Sequence, residues 1–201
     1  TARARMEPLL GARKKEKPKK HIEDPIREAN RALNSGDFDT AIEILKNRLA
    51  DMKGWDPATL ILLTRAYLYN GQFDQAKRVV GQLLKKDKNS AAGWYWQAKI
   101  ENSMGKWGAA TQHLDRATKL LPTFVDAFCE KGLILLANKR YQEADEAFTE
   151  ALRYDTRNAR AWLGKAKALA SLDRWGASVQ AVDRFISLIP DSREGWLFKA
   201  E

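Results

Sequence analysis

The strongest constraint on the fold of this chain is a period of 34 residues in its large side chains. One column of large residues comprises Leu60, Trp94, Phe128, Trp162 and Trp196. Three further columns keep the same interval and comprise Phe73, Trp107, Tyr141 and Trp175; Ala76, Ala110, Ala144 and Ser178; and Val80, Leu114, Phe148 and Val182. Agreement in phase among large, aromatic, small and apolar columns indicates stacked structural repeats.

Each repeat is predicted to contain two helices. The first helices are expected over 57–70, 91–104, 125–138 and 159–172, and the second over 73–87, 107–121, 141–155 and 175–189. Proline cannot continue a helix, so Pro122 and Pro190 mark ends of second helices. An earlier unit begins near Asp24-Pro25, a cap residue followed by proline at the first helical position.

A two-helix unit cannot bury its apolar face alone, so neighbouring units must stack to share a core. We therefore expect an all-α solenoid over residues 22–201, with five repeats and the start of a sixth. Residues 1–21 form a separate basic segment. The chain starts with Thr1 and stops at Glu201 inside a helical pattern, and we expect it to be a fragment of a longer protein.

The repeat spacing resembles that of the tetratricopeptide repeat, which reads large-x-x-Leu-small-x-x-aromatic before an Ala-x-x-x-aromatic second helix. The residues that carry this resemblance in the second unit are Leu60, Leu63, Thr64, Tyr67, Ala76 and Val80. The resemblance implies a right-handed superhelix of helix-turn-helix repeats that binds a partner segment in its concave groove. Polar residues at the usual leucine position are a departure that we expect to loosen the first helices: Gln97, Lys131 and Lys165.

The resemblance places the partner-binding residues on the first helices. The predicted groove residues are Ile61, Arg65, Tyr69, Tyr95, Lys99, Asn102, Leu133, Leu136, Arg160 and Lys167, and Leu68 and Cys129 are expected on the same face. Such a surface suits a protein or peptide segment with acidic and apolar side chains. In the alternative interpretation, these cations pair with acids of the chain itself, such as Glu101, Asp126 or Glu130.

Some members of the family grip the C-terminal carboxylate of a chaperone with a clamp of lysine, asparagine and arginine side chains. The matching positions here give Ile26 and Asn30 with Leu62, or Tyr95 and Lys99 with Glu130. Neither set reproduces the clamp, which argues against a chaperone C-terminus as the ligand.

Nothing in the sequence predicts catalysis or a cofactor. There is no glycine-rich phosphate loop and no nucleophile motif. One cysteine, Cys129, and two distant histidines, His21 and His113, give no metal-ligand spacing. We expect Cys129 to be a buried small side chain and His113 to be solvated. We therefore expect a non-enzyme without catalytic residues, metal or cofactor.

The tryptophans at repeat columns are predicted to be core residues rather than stacking platforms for bases. This prediction covers Trp94, Trp107, Trp162 and Trp175. Trp96 lies off those columns and is a candidate for contact with a ligand.

The excess positive charge is concentrated at the N-terminus. Residues 1–21 contain eight basic and two acidic side chains, 8 − 2 = +6 of the total +9. Three interpretations remain open: a solubilising linker, a segment next to an anionic membrane surface, and a contact with nucleic acid or another acidic partner. We expect a cytoplasmic protein that lies close to a membrane if a spanning segment precedes residue 1.

Overall fold

The structure is a computed structural model that describes residues 24–200, and this part of the chain consists of α-helices joined by short turns. The helices are α1 (Pro25–Ser35), α2 (Phe38–Asp51), α3 (Pro57–Tyr69), α4 (Phe73–Lys86), α5 (Ala91–Ser103), α6 (Trp107–Leu120), α7 (Val125–Ala137), α8 (Tyr141–Tyr154), α9 (Ala159–Ala170), α10 (Trp175–Leu188) and α11 (Arg193–Ala200). The basic segment 1–21 lies outside the described residues.

Each helix packs against the next one along the chain, which gives five successive helix pairs followed by α11. First helices of neighbouring units also contact each other, as α3 does with α1 and α5, and α9 does with α7. No strand occurs within residues 24–200. The predicted all-α solenoid is confirmed.

The turn inside each unit requires one residue with a left-handed backbone. Gly71 and Gly105 adopt φ of 72°, a conformation that glycine reaches without steric cost. The equivalent residues of the next two units are Lys139 and Asp173, with φ of 60° and 58°. These two turns keep the same shape although a side chain there is disfavoured.

Phe148 of α8 lies at the centre of the C-terminal half of the core and is fully buried. Its ring fits between α7 and α9 because those helices carry glycine where it contacts them. A Cβ atom on Gly132 would lie 2.7 Å from the ring, and one on Gly164 would lie 2.3 Å from it. The absent side chains therefore allow the close approach of three helices.

The prediction that Trp107 and Trp175 are core residues is wrong. Their side chains are 52% and 60% exposed, whereas Leu60 of the other large column is fully buried. Each of these tryptophans is the first residue of its second helix. Phe73 and Tyr141 occupy the same position in their units and are partly buried, so this position alone does not decide how far the ring is enclosed.

The polar residues that replace the usual leucine make polar contacts of their own. Lys131 forms an ion pair of 2.5 Å with Asp115 of α6, and Lys165 forms one of 2.5 Å with Asp145 of α8. Gln97 donates a hydrogen bond of 3.0 Å to Glu101. The two lysines each join a first helix to the second helix before it, so the departure from the repeat pattern supplies polar contacts between units.

Among the helices within 24–200, none combines the length and the apolar character that crossing a bilayer requires.

Candidate functional site

The first helices α3, α5, α7 and α9 carry all ten predicted groove residues, and each of these side chains is at least partly accessible. Leu68 and Cys129, which we expected on the same face, are 5% and 1% exposed and belong to the core. Both point towards the packed interior, so neither is available to a partner. The accessible residues of this face are called the groove below.

A continuous row of aromatic rings crosses the groove. The ring of Tyr69 lies 6.1 Å from that of Phe38 and 6.3 Å from that of Trp96. Tyr95 continues the row, with its ring 5.4 Å from Trp96 and 5.1 Å from Phe124. We call these five residues the aromatic row. It combines apolar area with rings that have few rotatable bonds, which is typical of protein-binding surfaces.

Two cations lie against the middle of the aromatic row. The Lys99 ammonium lies 6.0 Å from the ring centre of Tyr69 and 5.8 Å from those of Tyr95 and Trp96. The Arg65 guanidinium lies 5.8 Å from the ring of Tyr69. Tyr69 thus contacts both cations, which its ring attracts electrostatically. Arg65 of α3 and Lys99 of α5, which lie on adjacent first helices, therefore both approach the ring of Tyr69.

A buried carboxylate links three successive first helices. The Oε2 atom of Glu130 on α7 lies 3.6 Å from Nζ of Lys99 on α5. The same oxygen accepts a hydrogen bond of 2.8 Å from Nη2 of Arg160 on α9. Burial raises the pKa of the Tyr95 hydroxyl far above its usual range, and the negative charges of Glu130 and Asp126 raise it further. The Tyr95 hydroxyl therefore stays neutral near these acids.

The alternative interpretation of the groove cations is partly met. Lys99 and Arg160 share the carboxylate of Glu130, and Lys167 forms an ion pair of 2.6 Å with Glu194. Arg65 donates a hydrogen bond of 3.4 Å to Asn34. Among the described residues, Arg65 has no carboxylate within 4.0 Å, so its charge is the one least neutralised by the chain.

His113 is not the solvated residue that the sequence led us to expect. Its Nδ1 atom lies 2.6 Å from Oε2 of Glu101, and its ring stacks on that of Trp94 at 5.1 Å. These contacts join α6 to α5 and leave the ring only partly accessible. His113 therefore has a structural environment and no place in the groove.

Cys129 is buried as expected, and its thiol lies 3.7 Å from Oδ1 of Asn158. Burial raises its pKa to about 11. A thiol of this kind is a poor nucleophile at neutral pH because the thiolate is the reactive form. In the described part of the chain, no three His, Cys, Asp or Glu side chains are grouped so as to hold a metal ion.

The sequence did not predict the part played by Phe38 and Phe124, which stand at the two ends of the aromatic row. Phe38 is the first residue of a second helix, and Phe124 immediately precedes α7. Both positions lie outside the first helices from which the groove was predicted. The repeat spacing does not show that these two positions lie beside the groove. Finding them requires the arrangement of the helices in the superhelix.

Two sequence models described as tetratricopeptide repeat match the chain, one over residues 32–100 and the other over 129–193. No curated protein sequence matches it significantly. Among solved structures, a thermophilic TPR protein of Thermus thermophilus, TTC0263, is similar with a TM-score of 0.71 and 17% identity, over 88% of this chain and 95% of that one.

Two further solved structures share the fold. MamA is similar with a TM-score of 0.68 and 22% identity, over 81% of this chain and 94% of that chain. YrrB, described as a TPR protein with an unusual peptide-binding site, gives a TM-score of 0.65 and 17% identity, over 88% and 91% of the two chains. At these identities the likeness concerns the fold alone.

Proposed function

Because the chain belongs to the tetratricopeptide repeat family, we propose that it is a non-catalytic scaffold that holds a segment of a partner protein in its concave groove. Proteins of this family bind protein or peptide partners. The observation that carries the proposal is the aromatic row, which lies on the groove and is flanked by Arg65 and Lys99.

The aromatic row supplies the apolar part of the binding energy. Tyr69 remains 46% exposed although its ring contacts two other rings, so part of its surface is open to a ligand. Aromatic side chains that are fixed by their neighbours lose little conformational entropy when a partner covers them. Apolar side chains of the partner segment would pack on this row.

The charges beside the row favour a partner with acidic side chains. Arg65, Lys99 and Arg160 carry three positive charges, and Glu130 and Asp126 carry two negative ones, so this region has a net charge of 3 − 2 = +1. Arg65 is the cation without a carboxylate neighbour in the described structure. A carboxylate of the partner placed near Tyr69 would contact Arg65 and fix the register of the bound segment.

The proposal is tested by reversing the two charges together in R65E/K99E. The probes are two fluorescein-labelled peptides with blocked ends, one alternating leucine with glutamate and the other alternating leucine with glutamine. We expect the wild-type protein to bind the acidic peptide more tightly, with an affinity that falls as salt is added. The affinity of the variant for the acidic peptide should be about tenfold lower than that of the wild-type protein, so that the preference for this peptide is lost.

The matched control is K77E/R78E, which makes the same change in net charge on exposed residues of α4, a second helix. Circular dichroism checks that both variants keep their helices, and R65Q/K99Q replaces the reversal if it does not fold. Unchanged affinity and salt dependence in the groove variant would show that the partner does not bind at Arg65 and Lys99.

A second candidate function rests on the charge of +6 in residues 1–21. This segment would attract an anionic membrane surface or nucleic acid through its lysines and arginines. Deleting it should abolish binding to vesicles that contain phosphatidylserine, or to a DNA duplex, and should leave peptide binding in the groove unchanged. Loss of peptide binding in the same deletion would contradict two independent surfaces.

A further inference from the structure

Glu130 stands at a position that is uncharged in the neighbouring repeats. The residues at the same position of the second, third and fifth units are Leu62, Trp96 and Gly164. Glu130 is nevertheless 6% exposed, so a carboxylate is buried where the adjacent unit places an aromatic ring of the row. Burying a carboxylate is costly unless cations and hydrogen-bond donors compensate for the lost hydration.

The compensation comes from the groove cations themselves. Arg160 holds Oε2 of Glu130 at 2.8 Å, within hydrogen-bonding distance, whereas Lys99 lies 3.6 Å from the same oxygen. The Lys99 ammonium also remains near the rings of Tyr69, Tyr95 and Trp96. Lys99 is therefore the more weakly held of the two cations and the one nearer to the aromatic row.

We infer that Glu130 is a specificity-determining residue of the groove, which competes with an acidic side chain of the partner for Lys99. The inference rests on the proposed function, because it assigns the charge selectivity of the same groove. In the free protein the negative charge of Glu130 lowers the positive electrostatic potential around Lys99. A partner carboxylate therefore gains binding energy from Lys99 only if its attraction to the ammonium outweighs its repulsion by Glu130.

The competition limits affinity and sharpens selection. A segment with a single poorly placed acid gains little, because Glu130 already neutralises half of the Lys99–Arg160 pair. A segment whose apolar side chains cover the aromatic row brings its carboxylate to Lys99 in a setting shielded from water, where the interaction is stronger. Glu130 thus favours partners that meet both requirements.

The test is the substitution E130Q, which removes the negative charge and retains a side-chain oxygen that accepts the hydrogen bond from Arg160. Affinities for the acidic and the neutral leucine-containing peptides are measured by fluorescence anisotropy. We expect E130Q to bind the acidic peptide about fivefold more tightly, with a smaller gain at high salt. The neutral peptide should bind with an affinity that changes less than about twofold.

The matched control is E101Q, which removes another buried glutamate, 7% exposed, whose partner is His113 rather than Lys99. It should not change the ratio of the two affinities. The loss of a structural ion pair would lower the affinity for both peptides alike. Only a gain in affinity that is confined to the acidic peptide therefore supports the inference. An unchanged or reduced ratio in E130Q, with wild-type binding intact, overturns it and leaves the proposed function standing. If neither the wild-type protein nor E130Q binds either peptide, both the proposed function and this inference fail.

Discussion

The indole Nε1 of Trp162 donates a hydrogen bond of 2.9 Å to the carbonyl oxygen of Thr156, six residues before it. The same bond joins Trp94 to Lys88 at 2.9 Å and Trp196 to Pro190 at 2.8 Å. Each tryptophan therefore ties the turn that precedes its first helix to the body of that helix. The aromatic column of the sequence fixes the connection between units as well as filling space.

Replacing Trp162 by alanine should destabilise the array by about 3 kcal/mol, since a half-buried ring and a hydrogen bond are lost together. Trp162→Phe should cost less, about 1 kcal/mol, because the ring area is largely retained and the hydrogen bond is removed. Urea unfolding followed by circular dichroism measures both values.

The control for this prediction is Trp107→Ala. Trp107 is 52% exposed, so its removal should change stability by less than about 1 kcal/mol. Equal effects at Trp162 and Trp107 would show that the indole hydrogen bond and the burial of Trp162 contribute nothing specific.

Periodicity predicted the helices well because both members of each pair bury one face at a fixed interval. The predicted span 141–155 matches α8, which is Tyr141–Tyr154, and 107–121 matches α6, which is Trp107–Leu120. The turn residues followed from the same interval. The sequence therefore contained the order and extent of the elements, since these depend on local pattern.

The environment of single side chains could not be predicted in the same way. Phe73 and Trp107 share a column, yet Phe73 is half-buried and Trp107 is largely exposed. His113 and Glu101 are twelve residues apart and meet only after α5 and α6 pack. The bridge from Lys99 through Glu130 to Arg160 likewise depends on three helices from different repeats. Such contacts follow from the superhelical arrangement, which the period does not specify.

Gly164→Ala is expected to destabilise the protein by about 2 kcal/mol, although alanine is the better helix former. The added methyl group would lie 2.3 Å from the Phe148 ring, which is fully buried and surrounded by packed neighbours. The ring or the whole of α9 must shift to accept it. The midpoint of urea unfolding measures the cost.

Gly81→Ala is the matched control, because Gly81 lies in the middle of α4 and an added Cβ would meet nothing within 4 Å. Here the gain in helix propensity is unopposed, and stability should rise by up to about 1 kcal/mol. Opposite signs at the two glycines are the expected result. A stabilised Gly164→Ala variant would mean that Phe148 does not fill the space between α7 and α9 as described.

Cys129 should lower the free energy of unfolding of the protein as the pH becomes alkaline. Burial raises the pKa of its thiol to about 11 in the folded state, whereas an exposed thiol ionises near about 8.5. Below the unfolded pKa the thiol is protonated in both states and contributes no pH dependence. Between the two values the unfolded chain loses the proton and the folded chain keeps it, so raising the pH favours unfolding.

The expected loss attributable to Cys129 between pH 8 and pH 10.5 is about 2 kcal/mol, measured as the difference between the wild-type protein and Cys129→Ala in urea unfolding at each pH. The comparison cancels the titration of tyrosines and lysines that both proteins share. Alkylation by iodoacetamide at pH 8 gives an independent readout, because the native thiol should react about a hundredfold more slowly than the unfolded one. Parallel pH profiles for the two proteins would contradict the raised pKa of the thiol. Rapid alkylation of the folded chain would show that the thiol is accessible and not covered by its neighbours, such as Asn158.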